Sequence, residues 1–293
     1  MRLGFAAVGL IAAGGAAVAV WPVGQPVEMA ELEGNVERGA YLARAGGCIA
    51  CHSDAASGRA PLSGGAPIVS GFGTFVPPNL TTDPDHGIGD WRIEDFAKAV
   101  RQGLSPEGAL YYPAFPYAFY GHLNDQDIAD LWAAFQTVPP VADPAPPNNV
   151  SFPVNQRFGL KLWRAAFLNA PPTKARRDKP EAWNRGRWLV NGLAHCGACH
   201  TDRNLLGARR MAARFAGSDD LPGGKTAPAI TPEALSRNGW TVDNLAFALK
   251  SGVAPDGDVL GGGMGDVVQQ STAWMNQEDR KAMATYLLDA AGD

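Results

Sequence analysis

Two five-residue strings constrain this chain more than any other feature: "CIACH" at 48–52 and "CGACH" at 196–200. Each sets two cysteines with two residues between them and a histidine directly after the second. The strings start 148 residues apart and sit inside a longer internal repeat. "ERGAYLARAGGCIACHSD" matches "NRGRWLVNGLAHCGACHTD", with Arg38 on Arg185, and Trp91 matches Trp240. "RQGLSPEGALYYPAF" lies without a gap on "KSGVAPDGDVLGGGM", and "NDQDIADLWAAF" matches "NQEDRKAMATYL". Self-similarity on this scale means a duplicated unit. The chain must therefore fold as two related parts, each built round one of the strings.

The spacing has a chemical cause. A haem carries two vinyl groups on neighbouring edges of its ring. Two thiols on one helical turn reach both and form thioethers, and the next residue points across the ring face. C-x-x-C-H is accordingly the attachment signature of c-type haem. Cys48 and Cys51, and Cys196 and Cys199, are the expected tethers of two covalently bound haems, with His52 and His200 as proximal ligands of the iron. A structural zinc site would join both cysteine pairs, but its ligands cluster more closely than these do. A thioredoxin-like pair needs a surrounding βαβ pattern, and none is evident.

The position opposite the histidine decides what a haem does. A methionine there raises the potential, whereas an open position invites ligand chemistry. Met264, in "LGGGMGDVV", is the candidate in the second part, among glycines that allow a close backbone approach. The gapless match puts Phe115 at that place in the first part, and phenylalanine does not bind iron. No methionine lies between Met29 and Met211. Of the five histidines, His86, His122 and His195 are left over. His86 ranks first as the distal ligand of the first haem, because the half that loses its methionine has gained a histidine that the matching "EALSRNGW" lacks. His122 ranks second and an open or water-bound iron third. His195, beside Cys196, reads as a supporting or surface residue. A bis-histidine first haem would have a lower potential than a His/Met second haem, so electrons would enter at the first and leave from the second.

Residues 1–24 stand apart. After Arg2 comes a run of roughly 20 apolar residues, near the length that spans a bilayer as a helix. It reads as a membrane anchor with Trp21 at the interface, or as a signal peptide cleaved after "AVA" at 17–19. Either reading exports the remainder. The net charge of −4, without basic blocks at the ends, argues against nucleic acid.

Between the termini, residues 31–140 and 181–291 are expected as two haem-binding domains, mostly helical, with Gly- and Pro-rich loops. Residues 141–180 form a linker, Pro-rich at first and then basic, with seven Lys or Arg and one acid between 150 and 180.

"GCIACHSD", "PNLTTDPDHGIGDW", "SPEGALYYPAFPY", "WNRGRWLVNGLAHCGACHTDRNLLG" and "GGGMGDVV" together resemble the dihaem and multihaem cytochrome c subunits of bacterial membrane-associated dehydrogenases. The likeness covers nearly the whole chain after residue 24. It implies an all-α fold: two tandem class I cytochrome c-like domains after an N-terminal hydrophobic helix. It also implies single-electron transfer on the periplasmic side of the inner membrane. The donor would be a dehydrogenase catalytic subunit and the acceptor a cytochrome or terminal oxidase of the respiratory chain. The N-terminal helix would provide contact with the membrane. The rival reading is a peroxidase-like haem enzyme working at an open first haem. Some members of that family carry methionine where Phe115 stands, so the first distal ligand cannot be copied from them.

Overall fold

The structure, a computed structural model, describes residue 18 and residues 21–290. In the first half, α1 runs over Val36–Ala45, α2 over Cys48–His52, α3 over Ile93–Gln102, α4 over Tyr117–Tyr120 and α5 over Asp125–Phe135. Each long helix starts where its sequence supplies a cap. Asn35 accepts from the Arg38 N–H at 2.8 Å. Asn124 and Asp127 form a reciprocal capping box. Helix α3 ends at Gly103, whose φ of 65° only glycine adopts without cost.

Helix α6, Gly159–Phe167, lies in the connecting segment. The second half then repeats the plan. Helix α7, Glu181–Trp188, leads into a π-turn at Leu189–Leu193, followed by α8 (Pro232–Arg237), α9 (Val242–Ser251), α10 (Gly262–Gln270) and α11 (Gln277–Leu288).

The first and last long helices of each half cross closely, α1 on α5 and α7 on α11. A glycine makes each crossing possible. A Cβ on Gly39 would overlap the Asp130 carbonyl, and one on Gly186 would overlap that of Ala282. One charged lock stands beside each. Arg38 pairs with Asp127 at 2.5 Å and with Asp130. Arg185 grips both oxygens of Asp279 at 2.7 Å.

The expected all-α class needs correction. Strands β1 (Ile68–Ser70), β2 (Gly73–Phe75) and β3 (Asn149–Val150) form an antiparallel sheet, with Ile68 opposite Phe75 and Gly73 opposite Val150. Strands β4 (Ser218–Leu221) and β5 (Lys225–Ala227) form a second antiparallel pair. The fold is mainly helical with two small sheets. Both hairpins come from stretches read above as Gly-rich loops. β-Branched and aromatic residues flank Gly71–Gly73, and Pro222-Gly223-Gly224 supplies the other turn, which is hairpin chemistry.

The N-terminal hydrophobic helix is not supported either. Segment 1–24 lies almost wholly outside the described residues. Trp21–Gly24 are non-helical, and Trp21 is exposed. Among the described residues no helix is long and apolar enough to cross a membrane.

The halves share a single hydrophobic core. Leu42, Phe96 and Ile128 from the first belong to the same cluster as Trp183, Leu193 and Met283 from the second. Polar contacts cross the seam as well. The Tyr41 hydroxyl donates to Asp279 at 2.5 Å, so one carboxylate serves both halves. The Arg44 guanidinium lies 4.1 Å from the Trp274 ring centroid.

Candidate haem centres

Helix α2 is five residues long and contains the whole first string. It starts from Gly47 in the left-handed region, φ 71°. The second string is looser, a single 3-10 turn at Cys196–Ala198 that starts from His195 at φ 39°. Gly47 and His195 therefore stand at equivalent places, and histidine is among the few non-glycine residues that visit this conformation.

Among the described residues the four cysteines form no disulfide. Burial pushes Cys48 and Cys196 up to about 12 and Cys51 up to about 11. Protonated, uncharged thiols make poor metal ligands or nucleophiles. Among the described residues no three His, Cys, Asp or Glu side chains gather as a metal site of their own.

The two histidines are held identically. His52 Nδ1 lies 2.8 Å from the Pro78 carbonyl, and His200 Nδ1 lies 2.8 Å from that of Pro228. A carbonyl only accepts, so Nδ1 carries the proton and Nε2 keeps its lone pair for a metal. Burial lowers both pKa values, that of His52 to about 4, and the prolyl carbonyl offsets part of that fall. Both imidazoles are neutral near pH 7, the form that binds iron.

The surrounding turns repeat in detail. Gly64 donates to His52 O and Gly217 to His200 O, each at 3.1 Å. Leu62 and Phe215 both hold φ at 64°, and each accepts at 2.8 Å from the chain that returns from its proline.

Both strings open on one continuous cavity of about 2940 Å³. A drug-sized ligand fills roughly 300–1,000 Å³, so this space suits more than one large group. Its walls are mostly apolar, with Trp91 and Phe115 on the first side and Trp240 and Met264 on the second. Arg203 and Arg209 line it too. The Arg209 guanidinium lies 4.0 Å from the Phe119 centroid, and its pKa is drawn down to about 10 by burial and by Arg203 and Arg214. Crowded buried cations of this kind fit the carboxylates that a porphyrin carries. Paired thiols, metal-ready imidazoles, an apolar cleft and a cationic rim together fit haem.

The distal side separates the candidates. The loop before Met264 and the loop before Phe115 are superposable in their hydrogen bonds. Ser105 donates to Ala109 O at 2.9 Å and Ala254 to Asp258 O at 2.8 Å. Tyr111 donates to Gly103 O at 2.9 Å and Leu260 to Gly252 O at 2.7 Å. Phe115 and Met264 are thus equivalent positions, and both face the cavity.

The structure does not bring His86 there. Asp83 Oδ1 takes the His86 backbone N–H at 2.8 Å, and the side chain stands exposed, outside the cavity lining to which its loop contributes Leu80, Ile88 and Trp91. The order of potentials argued from a bis-histidine first haem loses that support. His122 also lies outside the cavity lining, its ring 5.0 Å from that of Trp188 and its Nδ1 on the Phe119 carbonyl. His195 is a half-buried seam residue that lines the cavity, packed on Phe119 and Tyr120.

Two features were not read from the sequence: the prolyl carbonyls and the arginine rim. Their traces were present. "VPPNLT" and "TAPAIT" recur in matching places after the two histidines, and "DRNLLGARR" is rich in arginine.

Fold and site define a protein that holds haem through C-x-x-C-H turns, a c-type cytochrome. The chain belongs to the cytochrome c family. That family's model matches residues 36–135. A diheme cytochrome c-type protein of Cereibacter sphaeroides is 44% identical over 265 residues, covering 89% of this chain and 88% of that protein. The gluconate 2-dehydrogenase cytochrome c subunit of Pantoea cypripedii is 39% identical over 86% of this chain and 58% of its own length. For the cytochrome c subunit of the quinone alcohol dehydrogenase of Gluconobacter oxydans the figures are 39%, 87% and 54%. The chain spans little more than half of these last two.

Proposed function

We propose that this chain carries two covalent haems and passes single electrons from a dehydrogenase to the respiratory chain on the periplasmic side of the bacterial inner membrane. The observation that carries this reading is the duplicated proximal arrangement, in which Pro78 and Pro228 present His52 and His200 to one shared cavity in the same way. When bound, each haem supplies an iron that cycles between ferrous and ferric by one electron. Cys48, Cys51, Cys196 and Cys199 would hold the rings, and His52 and His200 would bind iron through Nε2. The Met264 thioether would close the second site and hold its potential above that of the first.

The likeness to cytochrome c subunits of gluconate and alcohol dehydrogenases supports a dehydrogenase as donor; a further cytochrome or a terminal oxidase is the proposed acceptor. The apolar opening stretch, read as an export signal, supports the compartment, which cell fractionation tests.

The decisive experiment is maturation in a host with c-type haem attachment, followed by proteolysis and mass spectrometry. Each C-x-x-C-H peptide should carry one porphyrin, and both haems should cycle reversibly on reduction by a quinone- or flavin-linked dehydrogenase. Colourless protein, or haem on one peptide alone, overturns the reading.

A further inference from the structure

The two loops that end at Phe115 and Met264 share their hydrogen bonds up to Tyr111 and Leu260 and then part in chemistry. In place of a thioether, the first half presents a set of aromatic rings. Phe115 lies 6.1 Å from Tyr111, 6.1 Å from Tyr117 and 6.0 Å from Tyr120, centroid to centroid. Resting on the two-haem reading above, we propose that the iron held by His52 keeps its sixth position open behind Phe115 and binds a small uncharged diatomic ligand there.

The histidines and the methionine of this half stand away from Phe115, and the tyrosines around it are protonated phenols rather than thioether or imidazole donors. His86 is exposed and His122 lies off the cavity. Met29 also lies outside the cavity lining, its sulfur 3.8 Å from Arg101 Nη1. The Tyr120 hydroxyl donates to the Gly46 carbonyl at 2.6 Å. Burial raises the pKa of Tyr111 to about 12 and raises that of Tyr120 as well, which favours the protonated phenol at both. His195 lines the cavity, but its Nδ1 is tied to Leu193 O at 3.0 Å, its ring rests against Gly47, and Tyr120 stands between it and Phe115.

The ligand class follows from the wall. The wall is mostly ring faces, with the buried, unpartnered Tyr117 hydroxyl as a donor among them; a small neutral molecule that accepts one hydrogen bond gives up less hydration on entering than an anion does. Carbon monoxide and nitric oxide have the right size and polarity. Binding one is simple coordination: a donor bond forms to ferrous iron and no electron leaves the pair.

The test uses the full two-haem protein. In the dithionite-reduced state, carbon monoxide should bind one haem of the two, and EPR of the oxidised protein should show one high-spin and one low-spin iron. Phe115→Met, close in volume, should convert the high-spin signal to low-spin and abolish carbon monoxide binding. Met264→Ala should instead raise the stoichiometry to two. Two low-spin signals in the wild type, with no carbon monoxide bound, overturn the open site while leaving the electron carrier intact. Absence of haem from Cys48 and Cys51 overturns both.

Discussion

His52 and His200 hand their Nδ1 atoms to prolyl carbonyls at the same 2.8 Å, whereas Phe115 and Met264 occupy matching places on the loops before α4 and within α10. The duplicated halves have kept the apparatus that binds iron from one side and diverged in what stands on the other. Proximal geometry depends on backbone: a carbonyl, two left-handed residues and a returning strand. Distal chemistry depends on one side chain and can change without disturbing the fold.

Replacing each cysteine pair by alanine breaks the comparison most severely. Cys48→Ala with Cys51→Ala should remove one porphyrin from the mass and with it the carbon monoxide response. Cys196→Ala with Cys199→Ala should remove one porphyrin and leave that response in place. The expected loss is one haem in each variant, never both.

Gly39→Ala and Gly186→Ala probe whether the two helix crossings are equally tight. Each introduces a methyl group against backbone that cannot yield, with a cost of about 3 kcal/mol at the upper end of ordinary overpacking. Urea denaturation should give similar losses for both. A loss at one alone would mean that the crossings are not equivalent.

Asp279→Asn weakens the lock on Arg185 and the contact from Tyr41. A hydrogen bond to a charged group contributes about 1.5–3 kcal/mol, and the lower end is expected because Arg185 is partly exposed. The same pair gives a pH dependence. Burial by itself would raise the Asp279 pKa, but hydrogen bonds from Arg185 and Tyr41 hold it below its ordinary 3.8. Its contribution is complete above that value and drains away as the pH falls through the lower folded one. Denaturation midpoints between pH 6 and pH 3, both round figures about the ordinary carboxylate range, should converge for wild type and Asp279→Asn at the acid end. Tyr41→Phe should cost least, about 1 kcal/mol, and its effect should vanish in the Asp279→Asn background.

Much of this was legible in the sequence because it is local. Both C-x-x-C-H turns, the internal duplication and the match of Phe115 to Met264 follow from spacing alone. The hairpins at Gly71–Gly73 and Gly223-Gly224 were hidden by glycines that also suit irregular loops. His86 shows the limit of spacing. The sequence sets it opposite a lost methionine, whereas the fold of its loop, with Asp83 on its backbone N–H, leaves the side chain exposed. The prolyl carbonyls act through backbone atoms, which no residue identity announces.

The seam at Gly46 and Gly47 has a further consequence. Leu193 and His195 press on these glycines from the other half, against the first residues of the cysteine helix. Two irons held in one largely apolar cavity would feel each other's charge strongly, because little solvent would intervene to screen it. The first electron to arrive would raise the cost of the second. The midpoints found in a titration would then belong to the pair rather than to either metal.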